Sequence, residues 1–286
     1  MTNVHHRTVT VQGLSVFYRE AGAVDAPVIL LLHGYPSSSH MFRHLIPALA
    51  DTYRVIAPDH IGFGRSAAPA VEDFDYSFAA LAQVTMSFLE TIGVEKYTVY
   101  GQDYGAPLAW RLALAQPHAV EGVISQNGNA YEEGFVPDFW APIWAYRLDP
   151  SALNEAKLRP ALEREAVEWQ YTHGVPDPSL IDPDAWEHDL ALLGRPGIDA
   201  AQLALFADYQ TNRDLYPAFH EWLRTSKVPV LAVWGANDDI FRPAGARAFL
   251  RDAPHARIEL LNGGHFLLES HLDDVVDIIR EWRLSF

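Results

Sequence analysis

The pentapeptide Gly101-Gln102-Asp103-Tyr104-Gly105 carries a carboxylate at the centre of a pattern built for a sharp turn between a strand and a helix. An apolar β-like run, Tyr97-Thr98-Val99-Tyr100, precedes it, and a helix-like run, Pro107 to Ala115, follows it. Such a strained turn needs small residues around its central position. It presents the central side chain at a helix N-terminus, where the backbone dipole favours an anion. A carboxylate held there can attack carbon and form an ester with the substrate. Serine in this frame performs acyl transfer, so aspartate points to another class of substrate. An aspartate that only caps the next helix is the competing structural reading. The complete Gly-x-Asp-x-Gly frame at a strand–helix junction favours the nucleophile. No Gly-x-Ser-x-Gly occurs in the chain, which disfavours a serine esterase.

Three further patterns sit at the ends of predicted strands, where an open α/β sheet places its site. His33-Gly34-Tyr35-Pro36 follows Val28–Leu32, and its tight turn can aim the Tyr35 N–H at a developing negative charge. The N–H of Tyr104, next to the central aspartate, completes an oxyanion hole. Gly235-Ala236-Asn237-Asp238-Asp239 follows Val230–Trp234, and Asn262-Gly263-Gly264-His265-Phe266 follows Arg257–Leu261. The chain order is then nucleophile, acid, histidine. His265 in its glycine-rich loop is free to reach Asp103, while Asp238 would hold its other ring nitrogen. Asp239 adjoins Asp238 and competes for that role; loop position favours Asp238. Taken alone, His265 would read as an ordinary surface histidine.

The elements that must position these residues alternate between short apolar runs and helix-like stretches, the pattern of a mostly parallel sheet covered on both faces. Predicted strands are Val28–Leu32, Arg54–Ala57, Tyr97–Tyr100, Val120–Gln126, Val230–Trp234 and Arg257–Leu261. Thr8–Val11 and Ser15–Arg19 flank Gln12-Gly13-Leu14 and predict an antiparallel hairpin at the sheet edge. Phe78 to Ile92 and Ala244 to Leu250 are among the helix-like segments. From about Asn129 to Ser226 no buried strand is visible, and aromatics, prolines and helix-period patterns take over. The expected organisation is an α/β core of residues 1–128 and 227–286, with residues 129–226 inserted as a helical cap. Peripheral helices with an ordinary aromatic core are the plainer alternative.

Composition narrows the class. The chain has 286 residues, 49% of them hydrophobic, with no cysteine and a formal net charge of -16. That length holds one large α/β domain with a sizeable core. Without cysteine there are no disulfides, no cysteine nucleophile and no thiolate zinc site. The acidic balance disfavours nucleic acid and anionic membranes as partners. The polar start, Met1-Thr2-Asn3-Val4-His5-His6-Arg7, lacks the apolar stretch of a signal peptide, and no run reaches membrane-spanning length. A soluble, cytoplasmic protein is expected, acting on a small molecule with water. His40 and His44 have i, i+4 spacing but no His-Glu-x-x-His arrangement, so no metal is expected. Gly62-Phe63-Gly64-Arg65-Ser66 lacks the third glycine of a dinucleotide loop, and no P-loop is present, so no cofactor is expected.

Together, His33-Gly34-Tyr35-Pro36, Asp59 to Ser66, the Asp103 elbow, Trp234 to Asp238 and Gly264-His265-Phe266 resemble the epoxide hydrolase and haloalkane dehalogenase group of the α/β-hydrolase fold. The resemblance covers nearly the whole chain. It implies a two-step reaction in which Asp103 attacks a saturated carbon and His265, oriented by Asp238, activates water against the resulting ester. The low reference pKa of a carboxylate is expected to keep Asp103 ionised at neutral pH. The group protonates an epoxide oxygen from cap tyrosines. Tyr209 resembles the tyrosine on the corresponding helix, with Tyr171 and Tyr146 competing for the second place; packing is the competing reading for each, more so for Tyr171 and Tyr146 than for Tyr209. For halide departure the group uses a Trp next to the nucleophile plus an Asn or second Trp. Here Tyr104 and Tyr35 stand at those positions, which leaves Trp140 or Trp144 as halide or pocket residues. The resulting expectation is hydrolysis of a small or medium apolar epoxide. A dehalogenase acting on haloalkanes or haloacids comes second. A catalytically silent ligand-binding α/β-hydrolase is the reading from another class.

Overall fold

Eight strands carry the aliphatic runs: His5–Val11 (β1), Leu14–Ala21 (β2), Val28–Leu32 (β3), Arg54–Pro58 (β4), Tyr97–Gln102 (β5), Val120–Gln126 (β6), Val230–Gly235 (β7) and Arg257–Leu261 (β8). In the computed structural model, which describes residues 3–285, they form one sheet in the order β1-β2-β4-β3-β5-β6-β7-β8. The β1–β2 and β2–β4 pairs are antiparallel and all others parallel. Central strands β3, β5 and β7 are buried along nearly their whole length because helices cover both sheet faces. Side chains alternate between two cores: Leu30 and Leu32 of β3 face one, Ile29 and Leu31 the other.

The edge hairpin forms as expected. Val11 pairs with Leu14, leaving Gln12 and Gly13 as a two-residue turn with φ of 51° and 82°. Several strands run one to three residues past their apolar cores because ladder pairing continues. At the site this extension matters: Gly101 pairs with Ser125 and Gln102 with Gln126, so the first half of the elbow is still strand.

Helices Phe78–Thr91 and Gly105–Ala115 pack on one face of the sheet, and Leu272–Arg283 on the other. The last shows why it is a helix. Val275, Val276, Ile278, Ile279 and Trp282 make its buried stripe, while Asp273 and Asp274 begin it and Arg280 and Arg283 end it, opposing the macrodipole.

Between β6 and β7 the chain forms no named strand among the described residues. Helices Pro137–Leu148, Ala152–Leu158, Arg164–Thr172, Pro183–Leu193, Ile198–Asp208 and Tyr216–Ser226 fill this stretch. An isolated bridge from Phe135 to Phe241 ties its start to the loop after β7. Trp140, Phe206, Tyr209 and Tyr216 from this region are buried in the same cluster as Leu32, Tyr35 and Tyr104. Among the described residues no helix is long and apolar enough to cross a membrane. Met1 and Thr2 of the polar N-terminal stretch lie outside the described residues.

Candidate active site

Asp103 directly follows β5 with φ of +49°, the left-handed conformation that non-glycine residues adopt only under constraint. Close packing supplies the constraint. A Cβ on Gly105 would lie 1.9 Å from the Leu32 carbonyl oxygen, and one on Gly34 would lie 2.3 Å from Asp103 Cβ. Glycine at these two positions lets the elbow and the His33-Gly34-Tyr35-Pro36 turn touch. The Tyr35 N–H donates to Asp103 Oδ1 at 2.8 Å, and the Tyr104 N–H also hydrogen-bonds the carboxyl. Behind the turn, His60 N–H donates to His33 Nε2 (3.1 Å) and His60 Nε2–H donates to the His33 carbonyl (2.9 Å). Both rings are neutral: burial pushes His33 down to about 3 and drives His60 down as well.

The loops after β7 and β8 converge on the elbow. His265 Nδ1 lies 2.9 Å from Asp238 Oδ2, and its Nε2 lies 3.7 Å from Asp103 Oδ2. All three residues are at most 5% exposed. Asp238 is held on every side: Ile240 and Phe241 N–H groups donate to Oδ1 (2.8 and 3.2 Å), and Asn127 Nδ2 donates to Oδ2 (2.7 Å). Asp239 points elsewhere, exposed and paired with His173 Nε2 at 2.7 Å. With Nδ1–H given to Asp238, His265 Nε2 carries the lone pair, and the Gln102 amide meets it at 3.0 Å.

The charges are coupled. Burial raises the Asp103 carboxyl to about 6, while His265 and the Tyr35 and Tyr104 N–H groups pull it down. Removal from water destabilises the anion, yet at about 6 the carboxyl remains largely ionised at neutral pH. For His265, burial favours the neutral ring, but the charge and hydrogen bond of Asp238, with Asp103 beyond, outweigh it and raise the pKa. Among the described residues no group of three or more His, Cys, Asp or Glu is placed to hold a metal ion.

A cavity of about 150 Å³ opens on Asp103, walled by Tyr35, Tyr104, Trp140, Trp169, Phe206 and Ile240 among others. Cavities of about this volume hold molecules the size of benzene. The residues nominated from the sequence are placed unequally. Tyr209 lies behind the wall: its ring is 5.8 Å from that of Tyr104 and 4.5 Å from that of Trp140. Its hydroxyl is buried without a well-formed hydrogen bond, facing the Tyr216 hydroxyl. Tyr171 does not reach the cavity, because it stacks on Phe266 and donates its hydroxyl to the buried Asp189. Tyr146 does not reach it either; half-buried, it packs against the edge of the aromatic core. Trp140 lines the cavity, but its indole N–H is spent on the Ile240 carbonyl (3.0 Å). Trp144 sits outside under the Arg213 guanidinium, 4.8 Å from the ring centre.

A family model described as the alpha/beta hydrolase fold matches residues 27–272. The chain belongs to the α/β-hydrolase fold family. An uncharacterized hydrolase of Saccharomyces cerevisiae is 46% identical to this α/β-hydrolase over 96% of this chain and 95% of its own. A haloalkane dehalogenase of Bradyrhizobium diazoefficiens is 28% identical over 96% and 93%. The crystal structure of the epoxide hydrolase CorEH without ligand superposes with a TM-score of 0.78, covering 99% of each chain at 21% identity, a likeness of fold. This α/β-hydrolase is thus a hydrolytic enzyme, similar in sequence to haloalkane dehalogenases and in fold to an epoxide hydrolase.

Three residues around the site were not singled out from the sequence. Asn127 follows β6 in the polar run Gln126-Asn127-Gly128-Asn129, a signal comparable to the loops after β7 and β8. Gln102 occupies a variable position of the elbow pattern, and Gln170 lies inside helix Arg164–Thr172; neither carries a local mark. Gln170 is 6% exposed and lines the cavity, and its side chain has no hydrogen bond to the protein among the described residues.

Proposed function

We propose that the enzyme hydrolyses a small apolar electrophile at saturated carbon through an ester on Asp103, with Asp103, Asp238 and His265 as its catalytic residues. Residues 129–226 act in this reading as a cap over the core formed by 1–128 and 227–286. The observation that carries the reading is the placement of the Asp103 carboxylate. Two backbone N–H donors hold it on one side, and His265 Nε2 stands 3.7 Å away on the other. Oδ2, the oxygen that Tyr35 leaves free, attacks the substrate carbon. Water then adds to Asp103 Cγ while His265 Nε2 takes its proton, and the Tyr35 and Tyr104 N–H groups bind the oxyanion. Collapse breaks the bond from Cγ to the alkyl oxygen, and the product alkoxide takes the proton back from His265.

The preferred substrate is an epoxide. Its C–O bond breaks as the Asp103–carbon bond forms, and the oxygen takes a proton from a phenol. The proton left on the Asp103 carboxyl after hydrolysis restores the tyrosine. Support comes from Tyr104 and Tyr209, whose buried hydroxyls lack well-formed hydrogen bonds beside Asp103. An unpaired buried donor costs about 1–3 kcal/mol, and an epoxide oxygen would give it a partner once the Tyr209 ring turns toward the cavity. Dehalogenation is the second reading. The 28% identical relative points to it, as do Trp169 and Gln170, which line the cavity and whose side chains make no hydrogen bond to the protein among the described residues. Their N–H groups suit a halide, which leaves without needing a proton.

Intact-protein mass spectrometry on His265→Gln, given styrene oxide, cyclohexene oxide, bromoethane and chlorobutane in turn, tests both. A gain of the whole epoxide on the Asp103 peptide supports ring opening. A gain of the haloalkane minus hydrogen halide supports dehalogenation. No adduct from any of the four contradicts the covalent reading and favours a silent binder.

A further inference from the structure

Gln102 is wholly buried, and its amide nitrogen contacts His265 Nε2 at 3.0 Å. In the reading above, on which this inference rests, Nε2 is the atom that takes the proton from water. The same lone pair cannot accept both the Gln102 N–H and the proton. Once His265 is an imidazolium, its Nε2–H would face an amide N–H, donor against donor.

The other end of the amide resolves the conflict. Gln102 Oε1 is buried without a hydrogen bond, so a half-turn of the amide exchanges one unpaired atom for another at the same place. After the turn, Oε1 accepts the imidazolium N–H. The backbone cannot withdraw the side chain, because Gln102 is paired in β5 with Gln126 of β6. The ring cannot withdraw either: Asp238 holds Nδ1 at 2.9 Å, and the Gln126 amide reaches the His265 carbonyl at 3.3 Å. The charged groups facing the ring are Asp238 and Asp103, 2.9 and 3.7 Å away, and neither offers Nε2 a donor.

We propose that Gln102 is a positioning residue for ester hydrolysis, its amide donating to neutral His265 and, after a half-turn, accepting from the imidazolium. The neutral contact keeps Nε2 off the Asp103 oxygen while the substrate alkylates. The turned amide holds the proton in place until the product alkoxide leaves. This applies whether the leaving atom is an epoxide oxygen or a halide, since both routes pass through the same ester.

Two measurements test it. In the unaltered protein, side-chain amide NMR resonances of Gln102 should titrate with the midpoint of the His265 ring; independent behaviour would overturn the proposal. In rapid-quench kinetics with styrene oxide or bromoethane, whichever alkylates Asp103, Gln102→Met should leave alkylation within about twofold and slow ester hydrolysis about tenfold or more. Gln102→Glu, an acceptor only, should move the pH profile of hydrolysis upward by about one unit or more. Equal slowing of both steps in Gln102→Met, or an unmoved profile in Gln102→Glu, would reduce Gln102 to packing. Absence of ester even in His265→Gln would instead overturn the Asp103 reading, and this inference with it.

Discussion

Oδ2 of Asp103 stands 3.7 Å from Nε2 of His265, outside hydrogen-bonding distance, while Nδ1 of the same ring is held at 2.9 Å by Asp238. The ring is fixed at one nitrogen and left untied to the carboxylate at the other. In the proposed reaction the base acts on water near Asp103 Cγ after Asp103 has become an ester, and that separation suits it. An imidazole bonded directly to the carboxylate would lose its partner when the ester formed.

Replacing Asp103 by Asn should abolish turnover, by roughly 10⁴-fold or more, yet stabilise the fold at neutral pH. The Asp103 carboxyl is raised to about 6 from the ordinary value of 3.8. Between those values the folded state holds a proton that the unfolded state has released, so stability falls as pH rises. The cost at pH 7 is about 3 kcal/mol at most, and Asn avoids it while still accepting the two N–H bonds. Urea titrations should show the gain at pH 7 and its disappearance below about pH 4. A variant less stable at both pH values would favour the capping role of Asp103.

In the proposed reaction the same ionisation governs rate. Alkylation requires the Asp103 anion, so its single-turnover rate should fall about tenfold per unit as pH drops below about 6. Rapid-quench measurements of adduct formation across that range report it directly, and a flat profile would exclude Asp103 as the attacking group.

Asp238 and Asp239 should separate cleanly. Asp238→Asn removes the acceptor that fixes the His265 tautomer and should slow ester hydrolysis roughly 10²–10⁴-fold. Asp239→Asn loses an exposed contact to His173 and should leave turnover within about twofold. Steady-state rates of the two variants decide which aspartate serves.

The fold should be acid-labile through the His33–His60 pair. A histidine whose folded pKa is depressed confers stability that is lost as pH falls below the unfolded value of 6.5. His33, held to about 3, costs about 2 kcal/mol at pH 5, and His60 acts in the same direction. Asp103 returns about 1.4 kcal/mol over the last unit. The urea midpoint should therefore drop between pH 7 and pH 5; a constant midpoint would show that these rings are not buried as neutral.

Tyr209→Phe removes a hydroxyl that has no well-formed bond to lose, so the thermal midpoint should hold. Epoxide turnover should fall roughly 10–10³-fold if the phenol protonates the leaving oxygen. Gln170→Leu should have the larger effect if the substrate is a haloalkane. Comparing the two variants on one substrate assigns the leaving group.

The strands and the elbow were legible because their signals are local. An unbroken aliphatic run such as Val28–Leu32 must be buried on both faces, and Gly-x-Asp-x-Gly between strand and helix leaves the chain few other shapes. Asp238 and His265 followed from loop position after β7 and β8, since parallel strands end on one side of the sheet. The helical stretch between β6 and β7 did not yield in this way. Which aromatic faces Asp103 depends on how helices cross, and Tyr171 was lost to Asp189 and Phe266, partners far from it in sequence. The raised pKa of Asp103 is likewise a property of its buried surroundings, invisible in the residue's reference value. Gln102 was hidden for a simpler reason: the elbow pattern accepts any residue there.

The most direct test of the account is the origin of the product oxygen. With the substrate that alkylates Asp103, several turnovers in ¹⁸O-enriched water should leave the label in the Asp103 peptide, because water adds to Cγ and not to the substrate. Label found only in the product from the first turnover, with an unlabelled Asp103 peptide, would contradict the covalent ester.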